Sequence, residues 1–201
     1  KDDSGVPGMT ENPDFHGLYE RRHSGNEEVN YLASYRFMIK IGNEYGKGKT
    51  YTSVSKADIP GLTDTSYSRI RSMMANLQKK SFFKNYSNAN KKAFVFGVAM
   101  HTSTDTFAHS TYRYYNGTWY SITHAINEKK GQYKKNEADN SKFVPERFDM
   151  AYRAERNTLY RYQGKRSDVA VCHDFHAAND PDKYYPSNPA FKVKRISKYG
   201  T

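Results

Sequence analysis

An apolar run from Ala93 to Met100 passes directly into His101, Asp105 and His109, and this junction restricts the fold more than any other stretch of the chain. On a helix, four residues advance about 400°, so side chains at i, i+4 and i+8 span only about 80° of one face, with neighbours about 6 Å apart along the axis. The expectation is a central helix over roughly residues 88–111, apolar in its first half and striped with polar groups in its second. Histidine nitrogens and carboxylate oxygens are ligands that zinc accepts, and this spacing lets them converge on one or two ions. The bland alternative is a polar face with no ligand. An aspartate between the two histidines, with further histidines elsewhere, favours metal ligation.

Helical spacing recurs on both sides. Glu27 to about Tyr45 places Val29, Leu32, Ala33, Phe37 and Ile41 near one face, with Gly46 and Gly48 as stop signals. Pro60-Gly61 marks a turn, and Thr65–Lys79 then repeats the spacing with Tyr67, Ile70, Met73, Met74 and Leu77. A fourth helix starts near Val144-Pro145-Glu146, since proline sits well in a first turn. Phe148, Ala151, Ala154, Leu159 and Tyr162 are its expected inner face, and Gly164 its end. Residues 1–26, with Gly5, Pro7, Gly8, Pro13 and Gly17, read as ordered loop. Residues 112–143, rich in Tyr, Asn, Gly and Lys, read as a long excursion, which inside a compact domain is more often functional than idle. Strand-like alternation is scarce and no internal repeat is visible. The expected fold class is therefore all-α, a compact multi-helix domain with long loops. The chain, 1–201, reads as a single domain, with a helical core over 1–165 and a surface-wrapping C-terminal segment over 166–201.

Composition narrows the function. Lys plus Arg number 32 against 21 Asp plus Glu, a net charge of +11, which favours anionic partners such as phosphate esters, nucleic acid or acidic headgroups. The excess is scattered in pairs such as Lys79-Lys80 and Lys134-Lys135, with no Arg-rich stripe or RNA-binding signature. A single cysteine, Cys172, excludes an internal disulfide framework and four-cysteine zinc modules. Cys172-His173-Asp174-Phe175-His176 has no second pair to complete a metal site and reads as surface loop. No apolar run approaches the roughly 18–20 residues that cross a bilayer. No G-x-S-x-G, Walker-type loop or G-x-G-x-x-G occurs, which leaves serine-hydrolase and nucleotide-binding readings without local support. A Tyr-, Asn- and Ser-rich, cysteine-poor chain that opens on Lys1 is expected to be the mature form of a secreted or surface bacterial protein.

The segment Gly97 to Ser110, G-x-A-M-H-x-x-x-D-x-x-A-H-S, resembles the central ligand helix of the zinc-dependent phospholipase C superfamily, which includes the fungal single-strand nucleases. The bacterial phospholipase C signature has five residues between Asp and the second His, where this chain has three. The tight form is more similar to an uncharacterised bacterial branch, in which a Trp and another His follow, as Trp119 and His124 do here. The resemblance covers about residues 1–165 and is more specific for fold than for substrate.

It implies further ligands. Lys1-Asp2-Asp3-Ser4 looks like the stretch ending the superfamily's first helix, which makes Asp3 the favoured early ligand and Asp2 its rival. His16, in NPDFHG, is the favoured early histidine, with His23 second. His124 with Glu128 reproduces an H-x3-E spacing, whereas Asp139, before Pro145-Glu146-Arg147-Phe148, suits the bacterial branch and is preferred. The implied metal set is Asp3, His16, His101, Asp105, His109, His124 and Asp139, holding one to three zinc ions, with Asp3 and Asp105 as the catalytic carboxylates. The superfamily's amino-terminal Trp and the His upstream of Asp are absent here, so either a first helix has been removed or the site holds fewer metals. The expected function is phospholipase C-like hydrolysis of phosphate esters by metal-activated water. A single-strand nuclease, or a non-catalytic metal-stabilised binding or surface protein on the same scaffold, is the alternative.

Overall fold

The computed structural model describes residues 13–16, 31–108, 112–115, 118–121 and 145–165, with side chains for 14–15, 32–105 and 148–165. In chain order these are α1 (Pro13–His16), α2 (Tyr31–Gly46), α3 (Asp64–Lys79), α4 (Ser81–Lys84), α5 (Asn88–Ala108), β1 (Tyr112–Tyr115), β2 (Thr118–Ser121) and α6 (Pro145–Tyr162), with short 3-10 turns at Tyr51–Ser53 and Lys56–Asp58. The core is helical, as the periodicity predicts. The C-terminal segment 166–201 lies outside the described residues.

α5 is the central rod, with α2 and α6 packed along it and α1 across it. α2 is buried almost all round: Leu32, Ala33, Tyr35, Phe37, Met38, Ile39, Ile41 and Tyr45 all lie inside. From α3 come Ile70, Met73, Met74 and Leu77, and from α5 Val95, Phe96, Val98 and Ala99. Each large apolar side chain so buried contributes about 1.5–3 kcal/mol relative to exposure. At one end Phe83 meets Phe94 edge-on at 5.6 Å and Tyr45 at 5.5 Å, an arrangement favoured by the ring quadrupoles. α2 and α5 approach closely at Gly42, where a Cβ would come within 2.7 Å of Phe96 Cδ2.

Helix ends follow local chemistry. Thr63 caps α3 by accepting from the Ser66 amide at 3.0 Å. α2 and α6 both finish by reversal at a glycine in the left-handed region, Gly48 at φ 79° and Gly164 at φ 74°, where a side chain would be strained. In α6, the Lys165 amide reaches back to the Tyr160 carbonyl and the Gly164 amide to that of Arg161, the paired bonds of a Schellman ending. Lys92 of α5 completes it by donating to the Tyr162 carbonyl at 2.8 Å, so an ammonium sits at the negative end of α6.

Two elements differ from the sequence reading. Within 1–26 the backbone forms the one-turn α1, and within 112–143 β1 and β2 pair antiparallel, with Tyr112 opposite Ser121 and Tyr115 opposite Thr118. On the expected inner face of α6, Ala154 is buried and Ala151 and Tyr162 pack against the core, whereas two positions are corrected. Phe148 and Leu159 are 61% and 50% exposed, while Met150, Ala154, Asn157 and Thr158 face inward. Buried polar residues there are affordable because they are bonded. Thr158 Oγ1 donates to the Ala154 carbonyl at 2.9 Å, and Tyr35 Oη, at 2.8 Å, therefore donates to Thr158. Asn157 Nδ2 in turn donates to Tyr35 Oη at 3.3 Å. Apolar periodicity does not register such a network.

Candidate metal centre

Where α5 leaves the core its residues change from apolar to hydroxylated and ionisable. Thr102 and Ser103 are fully buried, and carbonyls satisfy them: Ser103 Oγ donates to Met100 at 2.8 Å, and Thr102 Oγ1 to Phe15 at 2.8 Å. These hydroxyls therefore have structural roles. On the neighbouring face, His101 and Asp105 fall one turn apart, and His101 Nε2 lies 3.1 Å from Asp105 Oδ2, with the side chains 32% and 18% exposed. The i, i+4 spacing has brought a ring nitrogen and a carboxylate oxygen together at the edge of the core.

α1 walls this pair on one side. The Phe15 ring stacks on the His101 imidazole with centroids 4.5 Å apart and planes 26° from parallel. Buried polar contacts tie α1 down. Ser34 Oγ of α2 donates to Asp14 Oδ1 at 2.6 Å, Arg69 Nη1 of α3 lies 3.9 Å from Asp14 Oδ2, and Thr102 holds the Phe15 carbonyl. Asp14 is fully buried, which a carboxylate tolerates when bonded and faced by a guanidinium. α6 contributes Glu155, whose Oε1 accepts from Thr104 Oγ1 at 3.2 Å, next to Asp105 in sequence.

Of the residues expected at the centre, His101 and Asp105 are therefore adjacent. His16 closes α1, one residue beyond the ring on His101, though its side chain lies outside the described set. Asp2, Asp3, His23, His109, His124, Glu128 and Asp139 lie outside the described residues. Among the described residues no group of three or more His, Cys, Asp or Glu could hold a metal. The donor pair itself fits zinc. Two ligands each about 2.0–2.1 Å from a tetrahedral ion lie roughly 3.3 Å apart, close to the 3.1 Å found here. Sequence reasoning passed over Asp14, Phe15 and Glu155. Pro13-Asp14 does carry a helix-start signal, a proline suited to the first turn followed by an acid.

No family model matches the sequence, and no curated protein or solved structure is significantly similar to it. No helix among the described residues is long and apolar enough to cross a membrane.

Proposed function

We propose that the chain is a zinc-dependent phosphodiesterase similar to phospholipases C, acting on an anionic phosphate ester outside the bacterial cell. The observation that carries this reading is the His101–Asp105 pair, two donors 3.1 Å apart at the solvent edge of a buried helix. His101 and Asp105 would hold the metal, joined by His109, His124, Asp139, His16 and Asp3 of the set that the resemblance implies. When bound, the metal supplies a water acidified towards a pKa of about 7 and neutralises charge on the phosphate oxygens. Asp105 or Asp3 would orient the attacking water and accept its proton. The basic surface draws the substrate in, at +11 net charge.

A single-strand nuclease is the second reading. Phe148 and Tyr152 on α6 are 61% and 56% exposed, and such aromatic faces can stack on unpaired bases.

Metal content by plasma emission spectrometry, on the wild type and on His101→Ala and His109→Ala, tests the centre. Near-stoichiometric zinc in the wild type and its loss in both variants is expected, and unchanged content in the variants would defeat the assignment. Hydrolysis of phosphatidylcholine against single-stranded DNA, with zinc added, separates the two enzymes. A zinc-loaded chain that cleaves neither would leave the non-catalytic binding protein.

A further inference from the structure

We infer that Phe15 is a positioning residue for His101: its ring fixes the plane of the imidazole, and the buried contacts of α1 hold that ring in place. The bearing on metal binding rests on the function proposed above; the bearing on the imidazole does not.

Two described neighbours act on the ring from different directions. Rotation about the last side-chain bond of histidine is broad and roughly two-fold, so a single hydrogen bond leaves the ring free to swivel about it. Asp105, 3.1 Å from Nε2, fixes one edge of the ring. Phe15, stacked at 4.5 Å and 26°, restricts that swivel by covering a face. Neither constraint substitutes for the other.

A helix of 4 residues has no stability of its own, so Phe15 holds position only because α1 is held. Three elements hold it: Ser34 of α2 through Asp14, Arg69 of α3 at the same carboxylate, and Thr102 of α5 through the Phe15 carbonyl. Asp14, Ser34 and Thr102 are all fully buried. Polar groups at that depth are costly unless bonded, and here the bonds of Ser34 and Thr102 end on Asp14 and on Phe15, the second of which covers His101.

The test uses the full chain with Phe15→Leu, Phe15→Tyr and His101→Ala, thermal melts confirming the fold. Two readouts are taken. In metal-free protein at one fixed alkaline pH, nitrogen chemical shifts of the His101 ring report its tautomer. In titrations with cobalt(II), visible absorption reports affinity and ligand geometry. A single tautomer in the wild type and Phe15→Tyr, and a mixture in Phe15→Leu, is expected. Cobalt affinity should fall roughly 10–100-fold in Phe15→Leu, as for other residues that orient metal ligands, with recovery in Phe15→Tyr. Wild-type affinity with a single tautomer in Phe15→Leu would overturn the inference. Cobalt binding by His101→Ala equal to that of the wild type would instead sink the metal reading, while the tautomer still decides the role of Phe15. Should Phe15→Leu not melt cooperatively, Phe15→Met, an unbranched apolar replacement without a ring, is read in the same two ways.

Discussion

Gly42→Ala sets two well-measured effects against each other. Gly42 lies inside α2, where replacing glycine by alanine favours the helix by about 0.8–1.0 kcal/mol. Propensity alone therefore predicts a more stable protein. Packing predicts the reverse, because the new methyl would sit 2.7 Å from Phe96 Cδ2 and 2.9 Å from Cε2. Carbon atoms prefer about 3.5–4.0 Å. The ring has little room to retreat, with the Tyr162 ring centred 5.3 Å and the Lys92 ammonium 5.5 Å from its centroid. Overpacking of this kind costs about 1–3 kcal/mol, so the net expectation is a loss of about 1 kcal/mol. For a chain of 201 residues that lowers the melting temperature by about 2–4 °C. Urea denaturation at constant slope checks the free energy. In a Phe96→Leu background the same substitution should be neutral or stabilising, giving a coupling of about 1–2 kcal/mol. If Gly42→Ala alone melts higher than the wild type, the close approach of the two helices is not what excludes a side chain there.

Two further outcomes test other parts of the structure. Leu159→Ser, on the exposed side of α6, should change stability by no more than about 0.5 kcal/mol, whereas Met150→Ala, on the buried side, should cost about 2–5 kcal/mol; comparable losses by chemical denaturation would return Leu159 to the core. Acid should weaken the fold through Glu44, whose carboxyl is held below its ordinary 4.5 chiefly by the Lys47 ammonium. It should act as well through Asp58, held below 3.8 by the Ser55 amide and by Lys40. Both groups ionise more readily folded than unfolded, so their contribution is present above those values and disappears as pH falls below them. A Glu44→Gln variant should show a shallower acid limb in melts taken across that range, and an identical limb would remove Glu44 from the account.

What the sequence made legible follows from the range of its signals. The periodic runs of α2, α3 and α5 predicted helices in which most expected apolar positions are buried, with Tyr67, Phe94 and Met100 half-buried, Ala93 exposed and Val29 outside the described residues, and the proline of Val144-Pro145-Glu146 marked the start of α6. On α6 Ala151, Ala154 and Tyr162 were legible and Phe148 and Leu159 were not, because hydropathy counts Asn157 and Thr158 as outward, and their partner Tyr35 lies more than a hundred residues away. α1 was missed because one turn is too short to show a period. The hairpin did carry a local cue: Asn116-Gly117 between aromatic-rich runs favours a two-residue turn, and it was outweighed by the polar, lysine-rich stretch that follows. At the candidate centre, spacing along one helix sufficed to bring His101 and Asp105 together. Nothing in the spacing indicated that a phenyl ring from an early segment would lie over the imidazole, since such a contact depends on tertiary docking.

The way α1 is attached gives the chain two separable thresholds of order. The packed core of α2, α3, α5 and α6 contains most of the buried apolar surface, whereas α1 is anchored by one ring and a few polar contacts. Small docked units open at much lower free energy than the body that carries them. Amides of residues 14–16 should thus exchange with deuterium well before those of the α5 interior, in molecules whose core is still intact. A chain in that state would have a native far-ultraviolet spectrum and an imidazole bare on one face.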